Sequence, residues 1–209
     1  MNIEVYFDLL CPWCYIGKRR LSTALKDRTD AHVVWRSFEL DPGGGRTPGP
    51  TAAEVIARYQ SDPARAAARV ALIRRLGQAE GLELNLHLAR PVNSFDAHRL
   101  VHLAADEGRG DAVLERLLHG YHTEGRDLAD LDVLRTLAVE AGLAPGSVAD
   151  LLQGDAFSAE VRADEDRATR TGIRGVPTLV IDGGPPMSAV QDPAALSALL
   201  SISPATSRW

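Results

Sequence analysis

The hydrophobic positions change period twice along the chain, and the changes mark out its parts. At the start Ile3, Val5 and Phe7 recur every second residue, the period of a short β-strand. Tyr15 to Leu25 reads as a helix, and His32-Val33-Val34-Trp35-Arg36-Ser37-Phe38, rich in β-branched and aromatic residues, reads as a second strand. A strand, a helix and a strand this close form one βαβ unit, so the two strands are expected to be parallel. Asp41 to Pro50 holds four glycines and three prolines and reads as a linker. From Thr51 to about Thr171 the pattern reads as helical throughout. Thr51 with Glu54 has the form of a capping box, and Asp62-Pro63 opens a helix that runs through Val70, Ile73 and Leu76 towards Gly81. Ser94 is placed to cap a helix from Phe95 to Glu107, which Gly108 stops. Val113, Leu114, Leu117, Leu118 and Tyr121 stand at helical spacing between Asp111 and His122. Asp130 is placed to cap a helix ending before Gly142, Pro145 to Leu152 is a short helix, and the last runs from Asp155 to Thr171 with Phe157 and Val161 inward.

The strand pattern returns with Thr178-Leu179-Val180-Ile181, the turn Asp182-Gly183-Gly184, and a second strand from Met187 to Val190 that completes a hairpin. Asp192 caps a closing helix from Pro193 to Leu200. No internal repeat is visible. The order βαβ, helical block, ββα predicts an α/β chain: a thioredoxin fold interrupted by an all-helical insertion. The expected parts are residues 1–42 as the first half of the thioredoxin-like domain, 43–165 as the insertion, 166–203 as the second half, and 204–209 as a mobile polar tail. The two halves must meet, so both ends of the insertion should lie close together.

The chemistry sits at the first change of period. Cys11-Pro12-Trp13-Cys14 lies between the first strand and the first helix, with Cys11 at the N-cap and Pro12 in the first turn, where a missing N–H costs nothing. A helix N-terminus carries unpaired N–H groups and partial positive charge, which favours a thiolate. Strand, Cys-x-x-Cys and helix together point to a thioredoxin-like redox site. A structural zinc site usually needs four Cys or His ligands. The chain has two cysteines, and no histidine neighbours the motif in sequence.

Composition narrows the partners. A length of 209 residues suits one domain or a domain with an insertion. A net charge of −5 leaves no electrostatic footprint for nucleic acid. No apolar run reaches the roughly 18 residues of a membrane span. Met1-Asn2-Ile3-Glu4 enters the first strand without the pattern of a secretory signal, so the expected location is cytoplasmic. In a reducing compartment a cysteine pair points to catalysis rather than to a structural bridge. Such a dithiol rests reduced, poised to reduce or isomerise disulfides.

Gly175-Val176-Pro177-Thr178 stands before the third strand, and a proline is tolerated at a strand entrance. The residues alone leave Pro177 open between cis and trans. With these two motifs the chain resembles the DsbA-like disulfide oxidoreductases of the thioredoxin superfamily, in particular their cytoplasmic FrnE-like branch. Cys11-Pro12-Trp13-Cys14 is similar to the family's active site and Gly175-Val176-Pro177-Thr178 to its cis-proline loop. Phe38-Glu39-Leu40-Asp41-Pro42, Asn93-Ser94-Phe95-Asp96-Ala97-His98-Arg99-Leu100 and Ser188-Ala189-Val190-Gln191 resemble weaker motifs of the branch. The resemblance implies that Pro177 is cis and that its loop faces the dithiol. The Val176 backbone would then be free to pair with an extended substrate segment. On this reading Cys11 is an exposed nucleophile with a depressed pKa and Cys14 the resolving thiol. Pro12, Trp13, Val176 and Pro177 contact the substrate, and no cofactor is needed beyond the Cys11–Cys14 disulfide. The expected partner is a polypeptide disulfide or a small thiol, and the chain is expected as a monomer or homodimer.

The alternative is a glutathione-dependent isomerase or kappa-type glutathione transferase acting on a small aromatic substrate, with glutathione as cosubstrate. Relatives of that kind commonly carry serine where Cys11 stands. Asn93 and Gln191 are the candidates for lining its cleft. A binding module with an incidental dithiol is a further alternative. Asp8 can relay a proton to Cys14 or stabilise the helix start, and Glu39 is a similar candidate. His98 with His102, and His119 with His122, are spaced as metal ligands can be, but without a third ligand they read as polar helix faces. Lys18, Arg19 and Arg20 read as a solvated face, as do Arg65, Arg69, Arg74 and Arg75, the last four with an anionic ligand as the alternative.

Overall fold

The computed structural model describes residues 1–60 and 62–201; the expected tail at 204–209 lies outside the described residues. Strand β1 (Asn2–Phe7) leads into helix α1 (Pro12–Leu25) and strand β2 (His32–Ser37). Seven helices follow: α2 (Ala52–Tyr59), α3 (Pro63–Ala79), α4 (Phe95–Asp106), α5 (Gly110–His122), α6 (Leu131–Glu140), α7 (Pro145–Gln153) and α8 (Ser158–Arg170). The chain closes with β3 (Thr178–Ile181), β4 (Met187–Ser188) and α9 (Pro193–Ser201). The sheet order is β2-β1-β3-β4. Strand β2 runs parallel to β1, with Val5 opposite Trp35, and β3 runs antiparallel to β1, with Val5 opposite Leu179. This is the thioredoxin arrangement expected from the βαβ and ββα segments.

Alternation along β1 divides its side chains between two layers. Ile3 and Val5 join Leu21 of α1, Leu179 of β3, and Leu196 and Leu200 of α9 on one side. Tyr6 packs with Ala168 of α8, Ile173 and Val180 on the other. The largest cluster joins Phe7, Leu9, Cys14 and Tyr15 to the helices α3 to α7, so the dithiol stands between the sheet and the helical layer. Helix α8 runs unbroken through residue 165, packing on both β2 and α4. Its Asp164 accepts hydrogen bonds from the Ser37 N–H (2.9 Å) and from Arg36 (3.0 Å), which clips the helix to the end of β2.

The local signals at the helix starts hold with two exceptions. Thr51 and Glu54 form a reciprocal capping box, and Asp62 and Asp130 accept from the first N–H groups of α3 and α6. Ser94 occupies the N-cap of α4, but its side chain makes no capping bond; the Asn93 side-chain carbonyl accepts from the Phe95 N–H at 3.2 Å instead. Helix α8 starts at Ser158 rather than Asp155, because Phe157 takes a left-handed conformation (φ 61°) that interrupts the helical path. Strand β4 spans Met187–Ser188 only, short of the expected Val190.

The helical reading also fails between α3 and α4. Residues 82–93 form neither helix nor strand, yet Leu82, Leu84, Leu86, Ala89 and Val92 are buried. The segment lines the core while its main chain serves helix ends. The carbonyls of Ala89 and Leu86 accept from the Ala52 and Ala53 N–H groups at the start of α2, and the Asn85 N–H donates to the His122 carbonyl at the end of α5. Those bonds satisfy groups that a helix leaves open at its termini.

Candidate functional site around the dithiol

Cys11 is the N-cap of α1, extended at φ −87° and ψ 112°, and its carbonyl accepts the Cys14 N–H at 3.0 Å. Pro12 follows in the first turn. Both cysteines are free thiols. The Val176–Pro177 bond is cis, and this loop faces the dithiol: the Cys11 Sγ lies 3.8 Å from the Val176 carbonyl oxygen. Gly17 makes the approach possible, since a Cβ there would stand 3.2 Å from both Pro177 Cγ and the Ala189 carbonyl oxygen.

Cys11 is not the exposed thiol that its position at a helix start suggests. Only 5 % of its surface is accessible, because it joins the large core and the loop carrying Val176 packs against that core. Trp13 is half-buried between the two cysteines and packs against the same core. The Arg69 guanidinium, from α3, lies over the Trp13 ring at 4.7 Å. Arg69 therefore belongs to the rim of the site and departs from the plain solvated face expected of the α3 arginines.

Cys14 is buried, and its Sγ accepts the Asp8 N–H at 3.5 Å. Burial pushes its thiol well above the ordinary value; Cys11 and the Asp8 carboxylate add to the rise, and the Asp8 N–H partly offsets it. Asp8 is itself fully buried. Its carboxylate accepts from the Leu10 N–H (3.2 Å) and the Leu40 N–H (2.7 Å), tying the loop before α1 to the chain after β2. Beside it lies His98 of α4, with Nε2 3.4 Å from Asp8 Oδ1 and no side-chain exposure. The Tyr121 hydroxyl and His122 complete the enclosure from α5. His122 is held neutral at neutral pH, its pKa pushed down to about 4 by burial, which the Leu9 carbonyl and Asp8 only partly offset. Burial, with Asp8 and Asp127, pushes the Tyr121 hydroxyl up. His98 and His122 are thus interior groups. Their chemistry points to opposite conclusions from the polar helix faces expected at these positions, because α4 and α5 are covered on these sides. His102 goes elsewhere, to Ser37 and Asp164, and His119 pairs with Glu124 on the surface.

Glu39 lies in an adjoining buried network. Burial raises its pKa; Arg162, at 2.6 Å, opposes the rise, and nearby Glu165 adds to it. The Asn93 side-chain amide donates to Glu39 at 3.5 Å. Gln191 is held beside Arg20 of α1: its side chain donates to the Ser188 carbonyl and its own carbonyl accepts from Arg20. Asn93 and Gln191 are therefore engaged on separate elements, with their side-chain amides turned to Glu39 and Ser188.

The face of α1 away from the sheet is also less solvated than its charges suggest. Lys18 is 3 % exposed and bridges Asp111 and Glu115, each at 2.9 Å. Glu115 also accepts from the Tyr15 hydroxyl and from Arg19, both at 2.6 Å. Arg20 pairs with Glu80. These contacts fasten the helix that carries the dithiol to α5 and to the end of α3.

His98, Tyr121 and His122 around Asp8, and Glu115 under Lys18, are the parts of the site that sequence reasoning missed. His98 stands inside the branch-like Asn93 to Leu100 motif, which was the available signal for it.

The sequence profile of the DSBA-like thioredoxin domain matches residues 2–201. The uncharacterised protein YwbO of Bacillus subtilis is 28 % identical over 183 residues, covering 87 % of this chain and 86 % of the relative. A probable DsbA oxidoreductase of Streptomyces coelicolor superposes with a TM-score of 0.89 at 36 % identity, over 96 % of this chain and 88 % of that one. The cytosolic disulfide reductase DsbM of Pseudomonas aeruginosa shares the fold at a TM-score of 0.66 and 20 % identity, over 96 % of this chain and 97 % of that one.

Proposed function

As the chain belongs to the family of DSBA-like thioredoxin domains, we propose that it is a thiol–disulfide oxidoreductase or isomerase that acts on polypeptide disulfides through Cys11 and Cys14. The observation that carries the reading is the pair of free thiols at the start of α1 with the Val176 carbonyl 3.8 Å from Cys11 Sγ. Cys11, at the helix start, attacks one sulfur of the substrate disulfide, forms a mixed disulfide, and releases the other sulfur as a thiolate that takes up a proton. Cys14 loses its proton and attacks Cys11 Sγ. The Cys11–Cys14 disulfide forms, and the second substrate sulfur leaves as a thiolate and is protonated. Two molecules of a small thiol such as glutathione then supply two electrons and two protons, leave joined as their own disulfide, and restore the dithiol.

A polypeptide suits the site because the main chain of the Val176–Pro177 loop lies against the attacking sulfur. Main-chain pairing there accepts many side-chain sequences. Pro12 and Trp13 form the adjoining contact surface. The cytoplasm is the proposed location, where glutathione keeps such a dithiol reduced. Among the described residues no helix is long and apolar enough to cross a membrane.

The test is reduction of a protein disulfide with a thiol donor, run beside glutathione-dependent isomerisation of an aromatic substrate. Turnover of the protein disulfide that vanishes in Cys11→Ser, with mixed disulfides accumulating in Cys14→Ser, is the expected outcome. Isomerisation with tight glutathione binding and no protein-disulfide turnover would establish the glutathione-dependent alternative.

A further inference from the structure

Strand β2 ends the sheet: β1 pairs with its inner edge, and among the described residues no strand pairs with its outer edge. Successive residues of a strand turn their main-chain groups to opposite edges. The His32 N–H donates to the Met1 carbonyl at 2.9 Å and the Phe38 N–H to the Phe7 carbonyl at 3.0 Å, so the even-numbered positions face β1. The odd-numbered ones face outward. There Asp164 of α8 takes the Ser37 N–H at 2.9 Å, but the main-chain groups of Val33 and Trp35 meet no partner on that side among the described residues. This open edge lies in a groove of about 840 Å³ that residues 32–36 line in an unbroken run. Leu21 and Leu25 of α1 and Phe157, just before α8, give the groove apolar walls. The left-handed backbone at Phe157 (φ 61°), uncommon for a residue with a side chain, sets its ring parallel to that of His102 there.

The charges along the groove are acidic on balance. Asp106 and Glu160 line it, are exposed, and pair with no cation among the described residues. Asp111 meets Lys18 but keeps 70 % of its side chain exposed. The strand's own cation is matched, since Arg36 holds Glu4 at 2.7 Å and Asp164 at 3.0 Å. His102 is engaged by Ser37 and Asp164, and His32 stands at the exposed start of the strand. A second copy of this chain that offered its own β2 would bring two acidic grooves together, and like charges facing each other disfavour that pairing.

We propose that this groove docks an extended segment of a partner polypeptide in which apolar residues alternate with lysine or arginine. The segment adds to the sheet as a further strand, its main chain bonded to the free groups of Val33 and Trp35. Side chains along a strand point alternately to its two faces. One set covers Leu21, Leu25 and the Trp35 ring, and the other carries the cations that meet Asp106 and Glu160. An unpaired edge is otherwise open to any extended chain; the two free carboxylates turn acidic segments away. Asp164, by taking the Ser37 N–H, ends the docking edge before the chain reaches Asp8 and the dithiol.

The test is a titration of the unmodified protein, followed by amide NMR, with a short amidated peptide of alternating lysine and valine. The peptide carries no cysteine, and Cys11→Ser, which ends the thiol chemistry, should bind it as the parent does. At saturation, hydrogen exchange at the Val33 and Trp35 amides should slow at least about tenfold, while His32 and Val34, already bonded to β1, change little. The matching peptide of glutamate and valine should bind about tenfold more weakly, and Asp106→Lys with Glu160→Lys, both at exposed positions, should reverse that preference. Unchanged exchange at Val33 and Trp35, or equal binding of the two peptides by the parent, would overturn the docking site. Slowed exchange at the same amides on raising the protein concentration without peptide would assign the groove to a second copy and overturn the partner. Loss of peptide binding in Cys11→Ser would place the peptide at the dithiol and overturn the groove, leaving the thiol–disulfide reading intact. Failure of protein-disulfide turnover, with the peptide still bound at β2, would count against that reading alone.

Discussion

Replacing Glu115 by alanine should loosen the helix that carries the dithiol, and the structure sets the size of the effect. Glu115 of α5 is 27 % exposed at its side chain and receives Tyr15 and, one turn on, Lys18 and Arg19 of α1. Removing one partner of a fully buried ion pair costs about 3–5 kcal/mol. Here Lys18 keeps a second carboxylate, Asp111, whose side chain is 70 % exposed, so the ion-pair part falls to about 1–2 kcal/mol. The Tyr15 hydroxyl loses its acceptor, which adds about 1 kcal/mol. The expected destabilisation is about 2–3 kcal/mol, and at about 2–4 °C per kcal/mol for a chain of this size the melting temperature should fall by about 4–12 °C. Urea unfolding of Glu115→Ala and Glu115→Gln beside the parent measures it, with the glutamine variant recovering about 1 kcal/mol because its carbonyl still accepts from Tyr15. The sign of the pH dependence follows from the carboxyl. Burial pushes its pKa up, but Lys18, Tyr15 and Arg19 together bring it below the ordinary 4.5. Its contribution is therefore full above the unfolded value and is lost as pH falls through the lower folded value, so the gap between parent and Glu115→Ala should close in acid. A loss under about 0.5 kcal/mol at neutral pH, the range of an ordinary surface substitution, would refute the reasoning.

Alkylation should separate the two thiols. Iodoacetamide at neutral pH should modify Cys11 and spare Cys14, whose raised pKa confines its reaction to alkaline solution; peptide mass spectra showing equal labelling at neutral pH would contradict this. Arg99→Leu should destabilise the protein by about 3–5 kcal/mol in urea. This 4 % exposed guanidinium satisfies Asp96 and the carbonyls of Leu151, Gly154 and Ala156, joining α4 to the end of α7. Arg69→Ala should shift the emission of Trp13 and raise the KM for an anionic thiol such as glutathione about two- to fivefold, the equivalent of a contact worth about 0.5–1 kcal/mol. The KM for the cationic thiol cysteamine should not rise.

Much of the chain could be read from signals within a few residues of where they act. The alternation of Ile3, Val5 and Phe7, the Thr51–Glu54 capping box, Asp130 before α6 and Cys11-Pro12 at the start of α1 each depend on a local period or on a backbone group two or three positions away. Their order along the chain was enough for the βαβ and ββα halves, because short connections leave few ways to pair the strands. The weaker local signals were overruled where a stronger neighbour competed. Asn93 displaced Ser94 as the cap of α4, and the left-handed turn at Phe157 delayed α8.

Burial of the polar groups was decided only in three dimensions. His98 and His122 have the spacing of surface residues on amphipathic helices, and no local rule distinguishes them from His119, which is exposed. What encloses them is the docking of α4 and α5 against the end of β1 and the chain that follows β1 and β2, elements remote in sequence. The same docking buries Lys18 against Glu115 and withdraws Cys11 beneath the Val176 loop. A short-range pattern determines which backbone forms and where a reactive sulfur sits on it. Which charges share its low-polarity surroundings depends on surfaces that meet only when the helical layer closes on the sheet, and the free energy of a buried charge depends on those surroundings rather than on its neighbours in the chain.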